Sequence, residues 1–152
     1  MLDNIIHDAG FANVMQNNIQ EMLIYLFEHE KNFGVLCKIE DVSFYPALPD
    51  EVSAAFHPMT LFFLAGYTFE TARIEDEYLV FEAGFGTDNF GSLTSVPLLS
   101  IVQIIVDETP LLINLATYKK QSTNVVKEVD NNGVENSMSS FLANPENSKF
   151  IK

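Results

Sequence analysis

The side chains in this chain that could do chemistry are His7 beside Asp8, His29, His57, the run Glu75-Asp76-Glu77, and the one cysteine, Cys37. His7-Asp8 has the form of the first half of a metal-phosphohydrolase pair, but the remaining ligands such a centre needs have no counterpart. His29 falls in the last turn of a predicted helix, where a cation complements the helix dipole. His57 precedes Pro58 and reads as a turn residue. The acidic run could draw calcium, yet it lacks the spaced oxygen ligands and turn glycine of a calcium loop and reads as a solvated turn. Cys37 can form no internal disulfide and no thiolate zinc cluster; it reads as a small core hydrophobe, with a catalytic thiol as the alternative. Gly-x-Ser-x-Gly, Walker-type, Gly-x-Gly-x-x-Gly and His-Glu-x-x-His motifs do not occur. The residues therefore point to no catalytic group, no metal and no cofactor, and the expected function is non-enzymatic.

Charge narrows the partners. The formal net charge is -13, and residues 1–118 hold three basic residues, Lys31, Lys38 and Arg73, against seventeen Asp and Glu. Residues 119–152 carry five lysines against four acids, so the acidity belongs to the body. Such a surface repels phosphate backbones and anionic membranes, which excludes nucleic acid and membrane as expected partners and leaves peptides, basic proteins or cations. No apolar run reaches the roughly 20 residues of a membrane span. Leu2, Asp3, Asn4 and Asp8 make a poor export leader, so a soluble, cytoplasmic protein is expected. At 152 residues the chain suits one domain followed by a tail.

The elements that would position any site can be read from periodicity. Ile19, Met22, Leu23, Leu26 and Phe27 form one apolar stripe at helical spacing, and Asn18 with Glu21 resembles a capping box, which predicts a helix starting near residue 18. Ile24 and Tyr25 widen that stripe, so a second packing partner is expected, either the segment Leu2–Met15 or another subunit. From Phe33 the period changes to that of strands: "FGVLCKIE", then a turn-rich "YPALPDE", then strands through "MTLFFLAGYTFETARIEDEYLVFEAGFG" broken at Gly66 and the acidic turn. Leu79, Phe81, Ala83 and Phe85 alternate with Val80, Glu82 and Gly84, as in a strand with one buried face. Pro97 suits the first position of an apolar helix over Leu98–Ile105, although the β-branched content allows a strand. "LLINLA" reads as a last strand.

Beyond Lys119 the composition turns to Asn, Ser, Lys, Val and Glu, which cannot bury enough apolar area to offset ordering, so a flexible tail is expected. Its final "NPENSKFIK" is either a docking peptide or a terminus without a role.

"FEAGFG" followed by "SVPLLSIVQII" resembles the core of the stringent starvation protein B (SspB) family, adaptors that deliver tagged proteins to the ClpXP protease. There a Phe-x-Ala-Arg-Phe-Gly strand precedes Ser-Val-Pro and an apolar helix. The likeness runs over roughly residues 17–118. Leu64-Ala65 matches an Ile-Ala, Gly84 stands in place of Arg, Gly66 in place of Pro, the "GTDNFG" turn is longer, and residues 1–16 and 40–59 look like additions. The C-terminal "SKFIK" is similar to the family's ClpX-docking peptide Leu-Arg-Val-Val-Lys.

The resemblance implies an α+β fold with a small, strongly bent antiparallel sheet, an Sm-like barrel, together with an N-terminal helix, one later helix and a flexible tail. It implies four regions: an extension (1–16), a peptide-binding domain (17–118), a linker (119–145) and a docking peptide (146–152). Leu64, Ala65, Phe81, Ala83, Gly84, Phe85 and Val96 would line a groove for tagged substrate peptides. Lys149, Phe150, Ile151 and Lys152 would dock on the ClpX unfoldase, and Met22, Tyr25 and Leu26 would join two copies as a homodimer. An acidic, dimeric secretion chaperone is the alternative that composition leaves open.

Overall fold

The computed structural model describes residues 1–119; the expected linker beyond Lys119 and the docking residues Lys149, Phe150, Ile151 and Lys152 lie outside the described residues. Residues Met1–Tyr118 form one compact unit. A short helix α1 (Leu2–Ile6) leads into the long helix α2 (Ala9–Glu28). Strands β1 (Phe33–Lys38) and β2 (Ser43–Tyr45) follow, then helix α3 (Asp50–Ala54) and strand β3 (Met59–Leu64). Helix α4 (Gly66–Thr71) precedes β4 (Arg73–Glu75), β5 (Tyr78–Phe85), β6 (Phe90–Pro97), β7 (Ile101–Val106) and β8 (Thr109–Ile113). Among the described residues no helix is long and apolar enough to cross a membrane.

The long helix starts ten residues earlier than the capping box predicts. Asp8 is its N-cap, and its carboxylate accepts a hydrogen bond from the Phe11 N–H at 3.0 Å. With that donor satisfied and no proline between Ala9 and Asn18, nothing stops the helix from running through Asn18, so the local signal at Asn18 is overridden. Ile19, Leu23 and Leu26, at i, i+4 and i+7, are buried.

Strands divide between two four-stranded antiparallel sheets, β3-β1-β7-β8 and β2-β6-β5-β4. The fold is thus α+β with a long N-terminal helix, as the sequence suggests, but the strands do not form the one strongly bent, barrel-like sheet expected. The later helix expected after Pro97 is also corrected: Leu98–Ser100 makes a single 3-10 turn and Ile101–Val106 is strand β7. Its β-branched Ile101, Val102, Ile104, Ile105 and Val106 favour the pleated form. Conversely "GYTFET", read as strand, is helix α4, entered through Gly66 at φ 58°, where a side chain would be strained.

The inward faces of both sheets meet in one core. Leu64, Val35 and Ile104 from the first sheet and Leu79, Phe81 and Val96 from the second pack with the α2 stripe. Phe62 bridges them, with its ring 5.7 Å from Phe81 and 6.2 Å from Phe85. Asn114, just beyond β8, is buried and satisfied: its amide donates to the Leu99 and Ile101 carbonyls at 3.0 Å and its oxygen accepts from Ala116 N–H at 2.8 Å. That network fixes the chain on leaving the domain.

Candidate functional site

On the outward face of the second sheet the register brings two glycines together. Gly84 of β5 stands directly opposite Gly91 of β6, and the next row places Glu82, Leu93 and Tyr45 side by side across β5, β6 and β2. Neither glycine raises a side chain of its own from the sheet, but the Asn89 side chain lies over Gly84, so the hollow is confined to Gly91. A Cβ at Gly91 would meet no atom within 4 Å, so this part of the hollow is open. Tyr45 and Tyr67 stand at its sides, 77 % and 64 % exposed. The result is a cleft of about 700 Å³ bordered also by Ala65, Thr68, Ala83 and Ser92.

One wall comes from α4. The ladder between β4 and β5 ends at Val80, and the next N–H on that edge, Glu82, donates instead to Thr71 Oγ1 at 2.9 Å. Because strand N–H groups alternate sides, Gly84 N–H points to the same edge two residues further on, beyond the reach of β4. Tyr67 donates its hydroxyl to Glu82 Oε1 at 2.6 Å, which holds the phenol upright and raises its pKa above the ordinary tyrosine value. The opposite side is set by Pro46, whose carbonyl accepts the Ser92 hydroxyl at 2.9 Å. Chemically the cleft offers main-chain groups, one carboxylate and two aromatic faces, a set suited to holding an extended chain by its backbone.

Of the residues expected in a groove, Ala65, Ala83 and Gly84 border this cleft. Leu64, Phe81 and Val96 do not: they are 0 %, 1 % and 0 % exposed and point into the core, because their strands bury the alternate face. Phe85 is half-buried in the ring cluster with Phe44, Phe56 and Phe62 and supports the sheet from beneath. Above Gly84 lies the Asn89 side chain, with which a Cβ at 84 would collide. Tyr45, Tyr67 and Gly91 were missed by sequence reasoning. Tyr45 follows from no pattern, Tyr67 depends on an unforeseen helix, and Gly91 could have been found by pairing the two strands about their turn.

The three residues expected to join two copies differ in exposure. Leu26 is buried on the domain's own core and Met22 packs half-buried against it, because both lie on the α2 stripe that covers the sheets. Only Tyr25 of the three is exposed, and its ring stacks on His29 with centroids 4.1 Å apart.

The chemistry-bearing residues lie in different elements. His7 and His29 are exposed at the C-caps of α1 and α2, and His57 is exposed before β3. Cys37 is a core residue, and burial followed by the nearby Asp41 charge pushes its thiol up to about 12. Among the described residues no three His, Cys, Asp or Glu side chains gather where they could hold a metal. No protein-family model matches this chain, and no curated protein matches it.

Proposed function

We propose that this chain is a non-enzymatic adaptor of the SspB type, which holds the extended end of a degradation-tagged protein in the cleft over β5 and β6 and presents it to the ClpX unfoldase of the ClpXP protease. The observation that carries this reading is the hollow over Gly91, next to a β5 edge that β4 leaves uncovered. A peptide backbone can approach Gly91 closely, meet the Asn89 amide over Gly84, donate to and accept from the edge, and rest its side chains on Tyr45 and Tyr67. The Asn89 amide, supplied by the longer turn, occupies the place where the family's Arg side chain would begin, so the tag recognised differs from the family's.

The rest of the mechanism is tethering. A linker of about thirty residues raises the local concentration of substrate near the motor into the millimolar range. Two copies in one particle would double that effect. No chemical step is required.

Fluorescence anisotropy of labelled tag peptides, titrated with the full chain, tests the groove. Gly91→Leu puts a side chain into the hollow at a position where a Cβ meets no atom within 4 Å, and is expected to weaken peptide binding at least about tenfold, or ~1.4 kcal/mol, with an unchanged circular-dichroism spectrum. A wild-type chain that binds no tag variant refutes the reading. Removing residues 149–152 should abolish capture by ClpX and leave peptide affinity intact; capture that survives the deletion removes the docking role of the terminal peptide, and a wild-type chain that binds peptide but is never captured by ClpX favours the secretion-chaperone alternative.

A further inference from the structure

The charge around the cleft over β5 and β6 is one-sided. Glu82 is the one carboxylate on its border, and none of the body's three basic residues, Lys31, Lys38 and Arg73, lies there. Arg73 shares the outward face, opposite Val80, but other groups hold its guanidinium: Nε donates to the Glu75 carboxylate at 2.5 Å and Nη1 to the Thr71 carbonyl at 2.9 Å. Glu82 itself is half-buried and fixed. Its N–H donates to Thr71 Oγ1 and its Oε1 accepts the Tyr67 hydroxyl, while Oε2 accepts no hydrogen bond among the described residues. A carboxylate is thus held in place at the cleft with one oxygen open to water and no counter-charge.

The row across the sheet sets what can reach it. Tyr45, Leu93 and Glu82 lie side by side, so two strand spacings of ~4.8 Å put the tyrosine and the glutamate about 10 Å apart, with the half-buried Leu93 as the floor between them. We infer that the cleft selects extended peptides carrying a cationic side chain, arginine or lysine, at the position seated over Leu93, and that Glu82 is the specificity-determining residue. This rests on the adaptor reading and adds to it the chemical class of the tag. Any peptide laid in the cleft strips water from Glu82. A neutral occupant leaves Oε2 without a donor, and an acidic one adds repulsion from a body with seventeen acids against three bases. A cationic side chain supplies the missing donor, lays its apolar stem on Leu93, and brings its head against the ring of Tyr45 or Tyr67.

Fluorescence anisotropy of the full chain with labelled, end-capped Ala-Ser peptides of about ten residues, each with one central Arg, Lys, Gln or Glu, tests this. The Arg and Lys peptides should bind at least about tenfold more tightly than the Gln peptide, and the Glu peptide most weakly. Glu82→Gln keeps an oxygen for the Tyr67 hydroxyl and should bring the Arg, Lys and Gln peptides within about twofold of one another. Glu82→Lys should reverse the order in favour of the Glu peptide, a gain that misfolding cannot produce. Glu21→Gln removes an equal charge from an exposed position on α2 and should leave the preference unchanged, which separates a site from general attraction to an acidic body. Equal binding of all four peptides overturns the inference, as does a cation preference that survives Glu82→Gln or disappears in Glu21→Gln. Failure of the Arg and Lys peptides to bind overturns it too, whereas the groove itself falls only if no tag variant binds.

Discussion

The two sheets have four strands each and share one core, yet their outward faces are opposites. Outside the β3-β1-β7-β8 sheet stand Leu61, Phe63 and Ile113; outside the β2-β6-β5-β4 sheet stand Ser43, Ser95, Glu82, Arg73 and the glycine pair. One is a raised apolar plate and the other a hollow with main-chain groups and a carboxylate at its margin. The difference teaches that inward alternation alone makes the fold, while the residues left pointing outward divide the labour. A flat apolar face matches another flat face, and a hollow matches a chain.

The sharpest way to test that division uses neighbours in sequence. Phe62 and Phe63 are consecutive on β3 but point to opposite faces, with 6 % and 65 % exposure. Phe62→Ala removes the ring that bridges both sheets and should cost ~3–5 kcal/mol in urea unfolding. Phe63→Ala should change stability by no more than about 0.5 kcal/mol. If the two cost the same, the plate is not an outer face.

The next effect lies under the first sheet. Folding raises the Cys37 thiol from 9.0 to about 12, so the neutral form is favoured in the native state. Below pH 9 this contribution to stability is present in full; as pH rises the unfolded chain ionises first, and a few kcal/mol are lost by pH 12. Cys37→Ala should flatten that part of the alkaline stability curve relative to the wild type, measured by chemical denaturation at successive pH values.

The second sheet carries a different cost inside. Thr94 is fully buried between Phe44 and Phe81 in the register, and its hydroxyl has no hydrogen-bond partner among the described residues. Thr94→Val should stabilise by about 1 kcal/mol and raise Tm by roughly 4 °C. A fall in Tm would mean that the hydroxyl is satisfied in solution.

The smallest expected effect is one the two sheets share. The β4–β5 and β7–β8 hairpins each turn on Asp-Glu, Asp76-Glu77 and Asp107-Glu108, with all four residues at φ between 48° and 69°. Glycine adopts that conformation at no steric cost, so Glu77→Gly and Glu108→Gly should each stabilise by about 0.5–1 kcal/mol in thermal melts.

Much of the fold was legible where periodicity was long and local chemistry agreed with it. The α2 stripe, β1, β5 and the acidic turn could all be read from apolar spacing and turn residues. Pro97 misled because the position suits a helix start equally well as a strand end, and the apolar run behind it has no distinct period. The start of α2 misled because Asp8 caps as well as Asn18 does and lies further upstream. The groove was legible in part. Ala83 and Gly84 were chosen as small residues on a strand, but telling cleft from core required knowing which face of β5 looks outward, and Phe81 sits on the wrong one. The glycine opposite, and the tyrosines at either side, depend on pairings between segments far apart in sequence, which no local pattern encodes.

Helix α4 has no fully buried residue and is fastened to β5 at Glu82, by the Thr71 hydroxyl to its N–H and the Tyr67 phenol to its carboxylate. In the core it is anchored by the half-buried Phe69, packed against Phe27 and Phe33, and a segment with no fully buried side chain opens at lower cost than the strands behind it. Its amides should exchange with deuterium well before those of β5, and a guest molecule could enter by lifting this flap instead of threading past it.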